Sequence, residues 1–344
     1  MSAKDFFVVH AGKYGSLPKS ELVGSLEATE SNFSLKPGTK YLSRFTCEFN
    51  KAKESIQRVA ISHFLCEELI FQRGSVSNLF SFLHKLNLNE GGSFYVRVNR
   101  VERAIPPEEV SLLERKVGSI LSEKFMKKTN FENPEEIFIL HIENDAYALG
   151  KFLKYSERKN LKERQNKIKP KFHASMLPPD LSRALVNLAR VKKDDIFLDP
   201  FCGMGGILLE AELIGARVVG LDFKEKMLRG AKENLVFYGA LNYDLIRGDS
   251  RFLPVVKATK VATDPPYGRL SPKLKKESLV NLYTRFIANL SGIIKKGGYF
   301  AMVYPKGLEV KTLLNENGFH IVSEDEVIVH DKLTRVFLAS RKVS

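Results

Sequence analysis

Four acids in the second half of the chain each close a short apolar run. They are Asp199 in "FLDPFCGMGG", Asp222 in "GLDF", Asp249 in "RGDS" and Asp264 in "TDPPY". Gly203, Gly205 and Gly206 follow the first, where glycine permits a tight turn and lets a ligand approach backbone N–H groups at a helix start. Asp222, at the end of the next run, is placed to accept both hydroxyls of a ribose. A carboxylate at Asp249 can accept from an adenine exocyclic amine, with Ser250 assisting. A glycine loop followed by one acid would suit a nicotinamide dinucleotide equally well. The alternative that all four are caps or turn residues suits one such acid but not four in succession. Asp264 is the unusual one. Two prolines fix the backbone after it and Tyr267 supplies a ring, so a stiff corner presents a carboxylate beside an aromatic face.

The elements that would carry these acids alternate regularly. "DIFLDPF", "RVVGLDF", "YDLIRGDS", "KVATDPP" and "GGYFAMVYP" read as strands. "GILLEAELI", "EKMLRGAKENLVFYG" and "KESLVNLYTRFIANLSGII" read as helices between them. Two alternating strands, "HIVSEDEVIVH" and "TRVFLASRK", follow around "DKL". That pattern is α/β, a doubly wound parallel sheet ending in an antiparallel hairpin.

Before residue 156 the alternation is shorter. "FFVVHAG", "YLSRFTCEF", "HFLCEELIF" and "GGSFYVRVNRVER" read as strands; "PKSELVGSLEA", "KESIQRVAIS", "SVSNLFSFLHKL" and "PPEEVSLLERKVGSILSEKF" read as helices. "EIFILHIEN" and "AYALGKFLKY" form an expected hairpin. No paired acid and base, metal cluster or nucleophile stands in this half, which reads as two small α+β units. Between the halves, Gly150 to Phe172 carries nine Lys and Arg against Glu157 and Glu163. It reads as a basic linker, able to touch phosphate or to serve simply as a tether.

At 344 residues the chain suits two or three domains. Its net charge of +14 is shared about equally before and after Lys171, which fits a polyanionic partner or a solvated lysine-rich surface. Cys47, Cys66 and Cys202 are too widely spaced for a zinc site or disulfide framework, so no metal is expected and the thiols read as reduced and buried. No apolar run approaches a membrane span, and the N-terminal "MSAKDFFVVHAGKYG" is no secretory signal. A cytoplasmic protein without membrane contact is expected.

Asp264, Pro265, Pro266 and Tyr267 match, in order, the (Asp/Asn)-Pro-Pro-(Tyr/Phe) motif of amino-methylating enzymes. The second half thus resembles the Rossmann-fold S-adenosylmethionine-dependent methyltransferases, with a seven-stranded sheet. The resemblance places Asp199, Cys202, Gly203 and Gly205 around the methionine end of the cofactor. It places Asp222 and Phe223 at the ribose, Asp249 and Ser250 at the adenine, and Asp264 at the transferred methyl. "FHASMLPPDLSRALVNLA" matches the segment before the first strand of this group and would bring His173, Ser175 and Met176 to the amino acid moiety; His173 could instead cap the following helix. Cys202 reads as a small packing residue.

The amine of a base ring is a poor nucleophile because its lone pair is delocalised. In this group the Asp264 carboxylate and the Pro265 carbonyl would each accept an N–H, turning the lone pair toward the methyl, while the Tyr267 ring stacks on a flipped base. The first half carries "FYVRVNR" before a Pro-Pro helix and resembles a ferredoxin-like domain (residues 1–62) followed by a THUMP RNA-binding domain (63–155). A basic linker (156–170) and the methyltransferase domain (171–344) complete the expected order. Together these resemble the archaeal tRNA guanine-N2 methyltransferases acting at position 10; "DPPYG" with "DPFCGMGG" suits that group better than the position-6 enzymes. The implied partner is tRNA and the implied state a monomer, with a small activating subunit left open. Alternatives are a DNA adenine or ribosomal RNA guanine methyltransferase, a non-catalytic RNA-binding protein on the same fold, and a nicotinamide oxidoreductase, which gives no reason for Asp-Pro-Pro-Tyr.

Overall fold

A computed structural model describes residues 3–165, 167–253, 257–267, 276–331 and 333–343. Asn166 of the expected linker, Gly268 of "DPPYG" and Lys332 of "DKL" lie outside them. The first half contains β1 (Ala3–His10), α1 (Leu17–Ala28), β2 (Phe33–Lys36), β3 (Leu42–Glu48), α2 (Phe49–Ile56) and β4 (Ser62–Arg73). It continues with α3 (Leu79–Leu83), β5 (Ser93–Arg100), α4 (Pro107–Phe125), β6 (Lys128–Thr129), β7 (Glu136–Ile142) and β8 (Ala146–Tyr155).

The chain divides into two compact units, and the division differs from the expected domains. The first unit comprises Met1–His10, Ser31–Lys53 and His63–Tyr155; the second comprises Ala11–Glu30, Glu54–Ser62 and Ser156–Ser344. No boundary separates residues 1–62 from 63–155 in the first unit, because strands from both join one sheet in the order β2-β3-β1-β4-β8-β7-β5-β6. β1 pairs antiparallel with β3, and β4 pairs antiparallel with β8, so each ladder satisfies an edge that two separate small sheets would have left open. β7 and β8 form the expected hairpin. α4 buries Leu113, Val117, Leu121 and Phe125, one stripe at helical spacing, in a core with Phe94, Phe138 and Leu140.

Residues 11–30 belong to the second unit for a visible reason. Glu21 of α1 is fully buried and accepts from the Ala60 and Ile61 amides, at 2.8 and 3.1 Å, and from Asn187 Nδ2 at 3.0 Å. A Cβ at Gly24 would stand 2.4 Å from the Asn187 carbonyl oxygen, so only glycine allows so close an approach. No local pattern reveals such a long-range dock.

The rest of the second unit contains α5 (Pro179–Leu188), β9 (Ile196–Asp199), α6 (Gly206–Glu212), β10 (Arg217–Asp222), α7 (Glu225–Phe237) and β11 (Tyr243–Arg247). Then follow β12 (Lys260–Thr263), α8 (Lys276–Ile293), β13 (Tyr299–Pro305), α9 (Val310–Glu316), β14 (Phe319–His330) and β15 (Leu333–Lys342). Its described strands form a seven-stranded sheet, β11-β10-β9-β12-β13-β15-β14, in which β15 alone runs against the others and pairs antiparallel with both β13 and β14. Phe197, Leu198, Val218, Val261, Phe300 and Phe337 are buried, as strands covered on both faces require. The strand order reverses beside β9, which opens a crevice at the carboxyl ends of β9, β10 and β12.

The expected linker is a second correction. Glu157–Arg164 is a 3-10 helix, and Arg164 Nε donates to the buried Glu210 of α6 at 2.9 Å. Leu161 enters the core, and Lys169 is buried, which pulls its ammonium down to about 8 against the opposing pull of Glu210. Arg183 Nε meets Glu210 from the other side at 2.8 Å. A charge-rich sequence hid a docked segment, because Arg164 is buried and paired with Glu157 and Glu210 while Lys162 and Lys167 stay exposed. β2, β6 and α9 also went unanticipated, being short. The helix expected over "KESIQRVAIS" starts earlier, at Phe49.

Candidate active site

Asp199 ends β9, Asp222 ends β10, Asp249 stands two residues beyond β11, and Asp264 directly follows β12. All four line one cavity of about 1210 Å³. His173, Ser175, Met176, Cys202, Gly203, Phe223, Ser250, Pro265, Pro266 and Tyr267 line it too. Gly205 does not, but it shapes the wall. It turns at φ +79°, and a Cβ there would press on Ala231 at 3.1 Å. Gly203, at φ +50°, makes the other left-handed step of the loop.

Asp199 is almost fully buried. Thr263 Oγ1 donates to its Oδ1 at 2.6 Å and the Phe201 amide at 3.1 Å, while Oδ2 is buried with no hydrogen-bond partner. Burial pushes its carboxyl up to about 7, and the charges of Asp264 and Asp222 add to that rise. A buried acceptor left over in a cavity fits a ligand that brings a donor or a positive charge. Asp222 accepts from the Gly203 amide at 3.1 Å through Oδ2 and from the Lys224 amide at 2.8 Å through Oδ1. Each oxygen keeps a lone pair for a hydroxyl. Burial raises Asp222 as well, the two amides opposing it. Phe223, beside it, is 70% exposed, an apolar face open to a flat ring.

Other expected residues are held differently. The Asp249 carboxylate is engaged by Arg251 Nε and Nη2, and that pairing lowers its pKa. Ser250 Oγ donates to the Pro200 carbonyl. His173 does not cap α5, whose N-cap is Pro178; its Nδ1 pairs with Ser175 Oγ at 2.7 Å and its carbonyl accepts from the Met176 amide, forming a turn at the cavity wall. Burial pushes the Cys202 thiol well up, so it stays neutral, and its sulfur packs toward Gly220.

The proline corner is built as an acceptor. Asp264 faces the cavity, and the Tyr267 hydroxyl donates to its Oδ1. Burial raises Asp264 to about 7, while the Tyr267 hydroxyl and the Arg335 charge pull it down. Pro265 is buried and Pro266 exposed, so the bend is packed on one side only. Motif reading reached this corner but missed Arg335, Asn281, Lys224, Met204, Met227 and Arg251, which also line the cavity. It missed Asn234 too, which ties the wall together: its Nδ2 donates to the Met204 and Lys171 carbonyls and its Oδ1 accepts from the Lys171 amide. A lone asparagine in a helix carries no local signal of that role.

Residues 166–336 match the RMKL-like methyltransferase domain family, UPF0020. The tRNA (guanine(10)-N2)-dimethyltransferase of Methanothermobacter thermautotrophicus is 30% identical over 98% of this chain and 100% of its own length. The chain belongs to the tRNA guanine-N2 methyltransferase family. The Methanocaldococcus jannaschii member, with the same name, is 29% identical over 87% of this chain and 91% of its own. The solved TrmN of Thermus thermophilus shares the fold, with a TM-score of 0.54 at 21% identity, over 98% of this chain and 100% of that one. S-adenosylmethionine is this family's methyl donor, and the orphan oxygen of Asp199, the spare lone pairs of Asp222 and the open face of Phe223 fit it. No helix among the described residues is long and apolar enough to cross a membrane.

Proposed function

We propose that this guanine-N2 methyltransferase acts on guanosine at position 10 of tRNA, adding one or two methyl groups to its 2-amino group. The observation that carries the reading is the Asp264–Tyr267 corner opening into the cavity of Asp199 and Asp222, within a chain matching a position-10 enzyme end to end. S-adenosylmethionine supplies an electrophilic methyl bonded to sulfur. Asp199, Gly203, Gly205, His173, Ser175 and Met176 hold its methionine end, Asp222 and Phe223 its ribose and adenine, and Ser250 and Asp249 the far side of the adenine.

Asp264 accepts one N–H of the base amine and the Pro265 carbonyl the other, so the nitrogen lone pair faces the methyl. With the methyl taken by that nitrogen and the sulfur keeping the electron pair of its bond, the Asp264 carboxylate would receive the amine proton and pass it to solvent. Stacking on Tyr267 contributes roughly 1–3 kcal/mol, and alignment up to about 7–11 kcal/mol. A paired guanosine hides this edge, so the base flips out to reach the cavity. The sheet unit of the first half, which resembles a THUMP module, supplies RNA binding, and the protein works as a cytoplasmic monomer.

The test is labelled cofactor with an unmodified tRNA transcript, followed by mass spectrometry of the nucleosides. N2-methylguanosine or N2,N2-dimethylguanosine at position 10 is expected. Methyl at position 6, as in the Thermus thermophilus tRNA (guanine(6)-N2)-methyltransferase that is 30% identical over 63% of this chain, would replace the site assignment but leave the chemistry.

A further inference from the structure

The same Asp-Pro-Pro-Tyr corner can seat adenine N6, cytosine N4 or guanine N2, because it grips an amine and nothing else of the base. Some other group must recognise guanine. Arg335 stands on β15, paired across the ladders with Pro305 and Val327. β15 lies two strands from β12, about 10 Å across the sheet. An arginine side chain reaches over most of that gap toward the corner. The guanidinium lies 5.6 Å from the centre of the Tyr267 ring and lines the same cavity as Asp264. Its Nε is buried and has no acceptor among the described residues. Arg251, in the same wall, already directs its Nε and Nη2 to Asp249. A shielded donor in a ligand cavity, beside the ring that takes the base, is short of one acceptor.

We propose that Arg335 reads the O6 edge of the target guanine while Asp264 holds its 2-amino group, and so sets the enzyme's choice of base. This rests on the guanine-N2 reading above. Guanidinium donors match the O6 and N7 acceptors of guanine, the commonest specific arginine–base contact. Adenine seated by N6 leaves no carbonyl oxygen for Arg335 to meet, and the unpaired cation then opposes its binding.

The experiment uses tRNA carrying guanosine or 2-aminopurine riboside at position 10. The second base keeps the 2-amino group and lacks O6. kcat/KM is measured for the wild type, Arg335→Ala and Arg335→Lys, with cofactor binding by calorimetry to check folding. Arg335→Ala should lose about 10- to 100-fold on guanosine and less than about threefold on 2-aminopurine. Arg335→Lys should recover part of the loss on guanosine, since it keeps the charge without the planar fork. Should Arg335→Ala fail to bind cofactor, Arg335→Lys carries the comparison, with the same bias toward guanosine expected. Equal losses on both bases would overturn the inference and mark Arg335 as a phosphate contact or a support for Tyr267. A wild type active on neither substrate would overturn the position-10 reading and this inference with it.

Discussion

Removing a single oxygen, Tyr267→Phe, tests the chemistry of the corner without emptying it. The ring remains to stack, but the hydroxyl that donates to Asp264 Oδ1 is gone. A hydrogen bond to a charged acceptor is worth about 1.5–3 kcal/mol, and one pKa unit corresponds to about 1.36 kcal/mol. Tyr267 stabilises the ionised carboxylate, so its loss should raise Asp264 from about 7 by roughly one to two units. The carboxylate must be ionised to accept the amine N–H, and kcat/KM follows the free enzyme's titration. At pH 7 the wild type is half ionised, and the variant about one-tenth to one-hundredth. The expected loss is therefore about 5- to 50-fold at pH 7, fading above pH 9. Rates under limiting tRNA and saturating cofactor, from pH 6 to 9.5, decide it. An acid limb that does not move, with loss equal at every pH, would show that the hydroxyl does not govern Asp264. A loss as large as that of Tyr267→Ala would show that the ring face contributes nothing.

Three further outcomes follow from the same geometry. Asp264→Ala should lower kcat by about 10²–10⁴ while leaving cofactor affinity within a fewfold by calorimetry; near-normal turnover would remove its role. Asp199→Asn should weaken cofactor binding at least tenfold yet stabilise the free protein at high pH. Burial raises the Asp199 carboxyl from 3.8 to about 7, so its stabilising protonated form is complete below pH 4 and lost as pH rises through 7. The variant should thus gain about 2–4 kcal/mol on the wild type between pH 5 and pH 8 in urea unfolding, and an unchanged difference would refute it. Glu210→Ala strands Arg164 and Arg183 in the interior and should cost about 3–5 kcal/mol in the same assay. A cost below 1 kcal/mol would show that the segment 157–170 docks independently of that triad.

The sheet of the second unit was legible because parallel strands buried on both faces read as unbroken apolar runs, as "RVVGLD" and "YFAMVYP" do. Asp199, Asp222 and Asp264 were legible because each ends or directly follows such a run, and Asp249 because it stands two residues beyond the shorter β11. Partners that depend on distant chain were not. Gly24 against Asn187, Arg164 on Glu210 and Asn234 on Met204 join residues 30 to 163 positions apart, and nothing local marks them. The first half misled for a related reason. The strands expected there are present, with the short β2 and β6 besides, but whether they form two sheets or one depends on pairings such as β4 with β8. Asp249 shows the limit inside the site: its position is right, but Arg251, two residues on, already holds its carboxylate.

The most direct test of the methyl acceptor is a tRNA transcript with inosine at position 10, which differs from guanosine only in lacking the 2-amino group. Methyl incorporation at that position should vanish while binding of the transcript stays within a fewfold of the guanosine form. Incorporation at an undiminished rate would mean that the methyl goes elsewhere, and that the Asp264 corner does not present the amine of this base.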